Sequence, residues 1–300
     1  MNTSFSNSAH SVTGSTLSGH LRLRCECRAD GTPFVSEQQF RAPIHIGKGH
    51  LAGKSLLLNI TNPTAGFFDG DQVASQITVG SDAHLVLSTP AASRVFRTRS
   101  GSPAVHQQSF HVEENGLLER IPEPFIPHAG ASYVQSTTID LHPQANLLFF
   151  EWLAPGRVAM GEMFAYKQLH WKLDLRVGGE LIARERYTLQ PDNHSLEALQ
   201  ARFPAAHYVS VYAAGSMTQH WPATELDALS SDDISLGHGA LSGGVYVIRA
   251  LCRDGMSARK LIGKPPPTHL HPRRTHNSFV GSSSELNLPL RHSDGENAIF

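Results

Sequence analysis

Leu169-His170-Trp171-Lys172-Leu173-Asp174-Leu175-Arg176-Val177 alternates apolar and polar side chains without a break. Period two puts the apolar side chains on one face of a strand and the polar ones on the other, so the run reads as a β-strand with one wet face. Gly178-Gly179 follows at once and leads into a second run, 181–189. Two glycines between such runs are a hairpin signal.

The same pattern extends outward in both directions. Leu21, Leu23, Cys25 and Cys27 alternate with Arg22, Arg24, Glu26 and Arg28. Short strand-like runs follow at 44–46, 56–60, 77–79, 83–87, 110–112, 133–141 and 147–152, and again at 208–212 and 245–251. Helical spacing is scarce. Leu196, Leu199 and Phe203 after Ser195 make one short helix, and 224–229 a second. The expectation is a single all-β domain over 20–262 with about two short helices. No fixed-length repeat stands out within it.

The flanks differ in composition. Residues 1–19 are rich in Ser and Thr without a charged side chain, and read as a disordered leader. They lack the basic start and apolar run of a secretory signal, which points to a cytoplasmic protein. Residues 263–300 carry Pro265-Pro266-Pro267, Ser282-Ser283-Ser284 and several histidines, and read as a disordered tail. No stretch approaches the ~20 apolar residues that span a bilayer.

Charge narrows the function classes. Twenty-five Lys and Arg against 26 Asp and Glu leave a formal net charge of -1, which speaks against a nucleic-acid binder. Three cysteines fit a reducing compartment and exclude a disulfide framework. Gly47-Lys48-Gly49-His50-Leu51-Ala52-Gly53-Lys54-Ser55 has the residues of a phosphate loop at the wrong spacing, and a strand follows where a helix should open. It reads as a hairpin loop. The eighteen histidines are scattered singly, such as His84, His142 and His170, apart from His269, His271 and His276 in the tail, which could catch a divalent cation. Neither a Gly-x-Ser-x-Gly elbow nor a Gly-x-Gly-x-x-Gly loop occurs.

Asn62-Pro63-Thr64-Ala65-Gly66-Phe67-Phe68-Asp69-Gly70-Asp71 combines turn residues with two aromatics. It reads either as a turn that plugs an aromatic into the core or as a loop that holds Asp71 in a buried polar position. Glu151 stands among Phe149, Phe150 and Trp152, so it is expected to be buried and to need a partner. A salt bridge to Arg157 is the first expectation, with Glu162 following in the same segment.

These segments resemble the UreD family of urease accessory proteins. Asn62 to Asp71 resembles its N-P-T-G-G-x-x-G-G-D, with Ala65 and Asp69 in place of two glycines. Residues 87–97 resemble L-T-T-Q-A-A-T-K-V-Y-R, and 119–131 the L-P-E-P-x-I-P-x-x-G-A segment. Glu151-Trp152-Leu153-Ala154-Pro155-Gly156-Arg157 with Gly161-Glu162 matches most fully, and Arg186-Tyr187 and 241–245 continue in order. The resemblance implies a β-helix-like scaffold without enzymatic activity or a tightly bound cofactor. Such a scaffold docks on apo-urease, binds UreF and through it the GTPase UreG, and assists the passage of Ni²⁺. It further implies a transient nickel path through Asp71, Glu151 and Glu162, with Ser88 and Thr89 as neutral polar lining. Two other classes remain open on the residues alone. One is a free-standing β-rich module for a ligand such as a carbohydrate. The other is a histidine-based metal-dependent hydrolase.

Overall fold

Alternating and short apolar runs become strands along the whole chain in the computed structural model, which describes residues 18–64, 66–191, 196–218 and 222–263. The leader up to residue 17 and the tail from residue 264, with its histidines, lie outside the described residues. In chain order the strands begin with β1 (Ser18–Cys27), β2 (Pro33–Arg41), β3 (His45–Ile46), β4 (His50–Ala52), β5 (Ser55–Thr61) and β6 (Gln72–Val79). Next come β7 (His84–Ser88), β8 (Ser93–Val95), β9 (Ala104–Val112), β10 (Leu117–Ile121), β11 (Phe125–Pro127) and β12 (Ser132–Leu141). The set closes with β13 (Asn146–Leu153), β14 (Gln168–Val177), β15 (Glu180–Leu189), β16 (His207–Ala214), β17 (Ile234–Ala240) and β18 (Val245–Cys252). Three short helices accompany them: α1 (Glu197–Gln200), α2 (Ala223–Asp227) and α3 (Gly255–Ile262). The first two match the expected helical spacing, and α3 is an addition.

The strands form two sheets, ordered β15-β14-β12-β9-β6-β1-β2 and β17-β18-β16-β13-β10-β7-β5-β3. From β5 to β14, apart from the short β8 and β11 at the border of the second sheet, the chain alternates between the two sheets, and successive strands within each sheet are parallel. This is the stacking of a β-solenoid. Val79, Val112, Leu141 and Val177 lie side by side in register on successive coils. Their unequal sequence separations explain why no repeat shows in the sequence. Both ends of the first sheet are closed by antiparallel strands, β2 on β1 and β15 on β14. The Gly-Lys-rich segment is the β4–β5 hairpin expected for it.

Inward side chains of both sheets make the main core, for example Leu23, Ile77, Phe110, Ile139 and Leu175 against Leu85, Leu118, Leu147 and Phe149. The second sheet is also apolar on its outer face. There Leu148, Phe150, Trp152, Val209, Val211 and Ile248 pack under Leu226 of α2 and Ala258, Leu261 and Ile262 of α3. Strands β10, β13 and β16 are therefore covered on both faces, and burial of that much apolar surface holds the layers together. No helix among the described residues is long and apolar enough to cross a membrane.

Candidate functional site

The core between the sheets is apolar at one end of the strands and polar toward the other. Cross-strand register builds this gradient. Ile77, Phe110, Ile139 and Leu175 form one row, and two residues back along the strands Ser75, Gln108, Thr137 and Leu173 form the next. Beyond it stand Val73, His106, Gln135 and Trp171. Period two makes each row face the interior, so polar residues on the inward phase must find partners there. The opposite sheet adds Arg120 from β10 and Glu151 from β13. Of these residues Ser75, His106, Gln108, Gln135, Trp171, Arg120 and Glu151 line an open-mouthed cavity, together with Ser88, Thr89, Phe125 and Tyr133.

Glu151 is buried at 6% exposure. Its Oε1 accepts a hydrogen bond from Trp171 Nε1 at 2.8 Å and from Gln135 Nε2 at 3.0 Å. Burial pushes its carboxyl up to about 7, against the opposing pull of the Trp171 hydrogen bond and the Arg120 charge. The salt bridge expected between Glu151 and Arg157 does not form. Arg157 instead makes a two-pronged pair with Glu162, through Nε to Oε2 at 2.8 Å and through Nη2 to Oε1. Proximity along the chain favours that pair, because β13 has already ended and the chain has turned between Glu151 and Arg157.

Glu162 also accepts from the Ala129 amide at 3.1 Å, and the Arg157 hydrogen bonds bring its carboxyl down to about 2. It fixes the loop that leaves β13. Gly156 in that loop has φ +141°, and a Cβ there would lie 2.4 Å from the Glu162 carbonyl oxygen. Only glycine allows that approach.

Asp71 is fully buried, and its Oδ2 accepts from the Phe68 amide at 2.8 Å. Phe67 in the same turn is buried in the core while Phe68 is exposed, so the aromatic plug and the buried aspartate occur together. A Cβ at Gly66 would meet the Arg94 carbonyl oxygen at 2.6 Å. Ser88 donates to Asn59 Oδ1 at 2.6 Å, and Thr89 Oγ1 accepts from the Glu123 amide at 2.7 Å.

Of the five residues singled out from the sequence, the structure brings Glu151, Ser88 and Thr89 to one cavity. Asp71 and Glu162 do not line it, and each braces a turn. Among the described residues no three His, Cys, Asp or Glu side chains gather into a metal-binding group. Those described histidines that make side-chain hydrogen bonds do so separately. His84 bridges Ser55 Oγ and Glu119 Oε1 at 2.7 Å each on the outer face of the second sheet, and His106 Nε2 meets Ser75 Oγ at 2.9 Å. Arg120, Gln135 and Trp171 were missed as site residues. Trp171 sits on the apolar phase of the 169–177 run, so only the facing sheet reveals its role. Arg120 lies two residues after Leu118, and that parity is the one sequence signal that it points inward.

A family model described as UreD urease accessory protein matches residues 17–265. A urease accessory protein UreD from Opitutus terrae is 35% identical over 251 residues, 82% of this chain and 92% of its own length. One from Herpetosiphon aurantiacus is 32% identical over 72% of this chain and 74% of its own length. One from Actinomyces naeslundii is 28% identical, over 80% and 89% respectively.

Proposed function

The chain belongs to the UreD family of urease accessory proteins, and on that premise we propose that it is a non-catalytic cytoplasmic scaffold. It docks on apo-urease, binds UreF and through it the GTPase UreG, and passes Ni²⁺ through the cavity between its sheets toward the urease active site. The observation that carries this reading is the chemistry of the cavity wall. Glu151, Ser88 and Thr89 offer single oxygens along an open-mouthed cavity, and no cysteine takes part in the lining. Scattered oxygens and retained water hold a borderline cation less firmly than thiolate or imidazole clusters, so onward transfer runs downhill. Asp71 supports the path indirectly, by fixing the turn whose Asn62 and Phe67 line the cavity. Glu162 holds the loop that follows β13.

The test is co-expression with apo-urease, with and without UreF and UreG, followed by affinity capture and nickel analysis of the urease. Co-purification and nickel loading that depends on this chain are expected. Glu151→Gln keeps the shape and removes the charge, and it should lower the nickel content while leaving capture intact. Full nickel loading with that variant would remove Glu151 from the path, and failure of the folded chain to capture either partner would overturn the scaffold reading. Phe125, Tyr133 and Trp171 along the wall favour a second reading, a pocket for a small ligand such as a sugar. Calorimetric titration with sugars of the isolated chain separates the two.

A further inference from the structure

We propose that the cavity is also an anion site, in which Arg120 holds a small planar oxyanion of the bicarbonate or carboxylate class. Strand β10 turns Arg120 inward, in register with Leu87 and Phe149 of the neighbouring strands. Its guanidinium lies over the Phe149 ring at 4.8 Å from the centroid and donates from Nη1 to the Phe150 carbonyl oxygen at 2.7 Å. Among the described residues, Nε and Nη2 make no hydrogen bond and no carboxylate comes within 4.0 Å. Glu151 lines the same cavity, but its Oε1 is already engaged by Trp171 and Gln135.

Arg120 is half-buried, and a guanidinium that lies over an aromatic ring with unpaired donors toward a cavity is best satisfied by an anion that meets them. Glu151 acts on Arg120 through its charge without a hydrogen bond to it, and Glu123 is paired with Arg259, so neither fills the free donors. His106 is held neutral by burial and by the Arg120 charge, its imidazole pushed down to about 3, and Ser75, Gln108 and Thr89 are uncharged. The remaining N–H groups of Arg120 form a planar fork whose spacing suits two oxygens of a planar anion. The Thr89 hydroxyl accepts a backbone amide and keeps its own hydrogen to donate.

The anion has a consequence for charge. Arg120 alone makes the cavity repel a dication, whereas Arg120 with a bound oxyanion does not. Binding of the two ions is then mutually favourable by linkage. The anion proposal itself needs no nickel, so it stands or falls apart from the path described above.

The measurement is ¹³C line broadening of labelled bicarbonate by the purified full chain at constant pH and ionic strength, without metal. Saturable broadening is expected, reversed by formate and not by equimolar chloride. Arg120→Gln should weaken binding by at least about tenfold, as loss of a charge-assisted pair of hydrogen bonds would. Arg120→Lys keeps the buried cation but not the fork, and should weaken it by about threefold or more. Circular dichroism checks that each variant is folded, and if Arg120→Gln is not, the wild-type and Arg120→Lys titrations decide. Absence of saturable broadening by the wild-type chain would overturn the proposal. So would displacement by chloride as effective as by formate, or unchanged affinity in the folded variants.

Discussion

At Glu151, burial and hydrogen bonding act against each other, and burial prevails. Its carboxyl stands at about 7 in the folded chain, above the ~4.3 of an exposed glutamate. Between those values the folded state holds a proton that the unfolded state has released, so stability falls as pH rises from about 4 to about 7 and is flat above. Glu151→Gln abolishes that slope and stabilises the folded chain on the order of 3 kcal/mol at the upper end of the range. Urea melts of both proteins at several pH values check this. A variant that is more stable yet delivers less nickel would separate the functional from the structural role of the carboxylate. Gly156→Ala is expected to act in the opposite direction, costing roughly 2–4 kcal/mol because the new Cβ meets the Glu162 carbonyl at a positive φ. Its effect appears in the same melts.

Elements differ in how plainly the sequence announces them, and the reason is how many of their faces are wet. Strand β14 alternates because only its inner face is buried, and it was read correctly to within a residue. Strand β10 was not seen, since Leu117, Leu118 and Glu119 are buried in succession between the main core and the outer apolar layer. Helix α3 carries the i, i+3, i+4 spacing of Ala258, Leu261 and Ile262, but eight residues give that pattern a single turn to show itself directly after a strand. The site was legible in the same measure. Glu151 stands out as a carboxylate in an apolar run, but its partners Trp171 and Gln135 come from the facing sheet, beyond the reach of spacing arguments. Helix α3 itself depends on its first turn, where Asp254 accepts from the Ser257 amide at 2.8 Å and also from its hydroxyl. Asp254→Ala should cost about 1 kcal/mol, read by thermal or urea unfolding. It should also raise hydrogen exchange in 255–262 first, because the helix can lift from the sheet before the coils open.

For the molecule as a whole, the described residues, which fall between 18 and 263, contain both the inner core and the outer layer under α2 and α3. A fragment of that length is expected to fold alone, with an unfolding midpoint matching that of the full chain. Circular dichroism melts of the fragment and of the full chain provide the check, and a fragment that melts earlier would show that the flanks contribute to the fold. Glu185 stands on β15 beside Leu173. It accepts from Arg249 Nη2 at 2.7 Å, from Tyr208 at 3.1 Å and from Tyr212. Glu185→Leu should therefore destabilise by about 2–4 kcal/mol, since it leaves the Arg249 charge without its acid.

The order of the coils bears on how such a chain comes into being. Parallel sheets are ordinarily slow to form, because each pairing must close a long loop before any contact rewards it. Here β6 pairs beside β1, β9 beside β6, β12 beside β9 and β14 beside β12, in the order in which a ribosome releases them. Each new strand finds its template already laid down, so the chain can grow by accretion from its N-terminal end. The growth stops where the chain reverses, with β15 antiparallel to β14 in the first sheet and β16 antiparallel to β13 in the second.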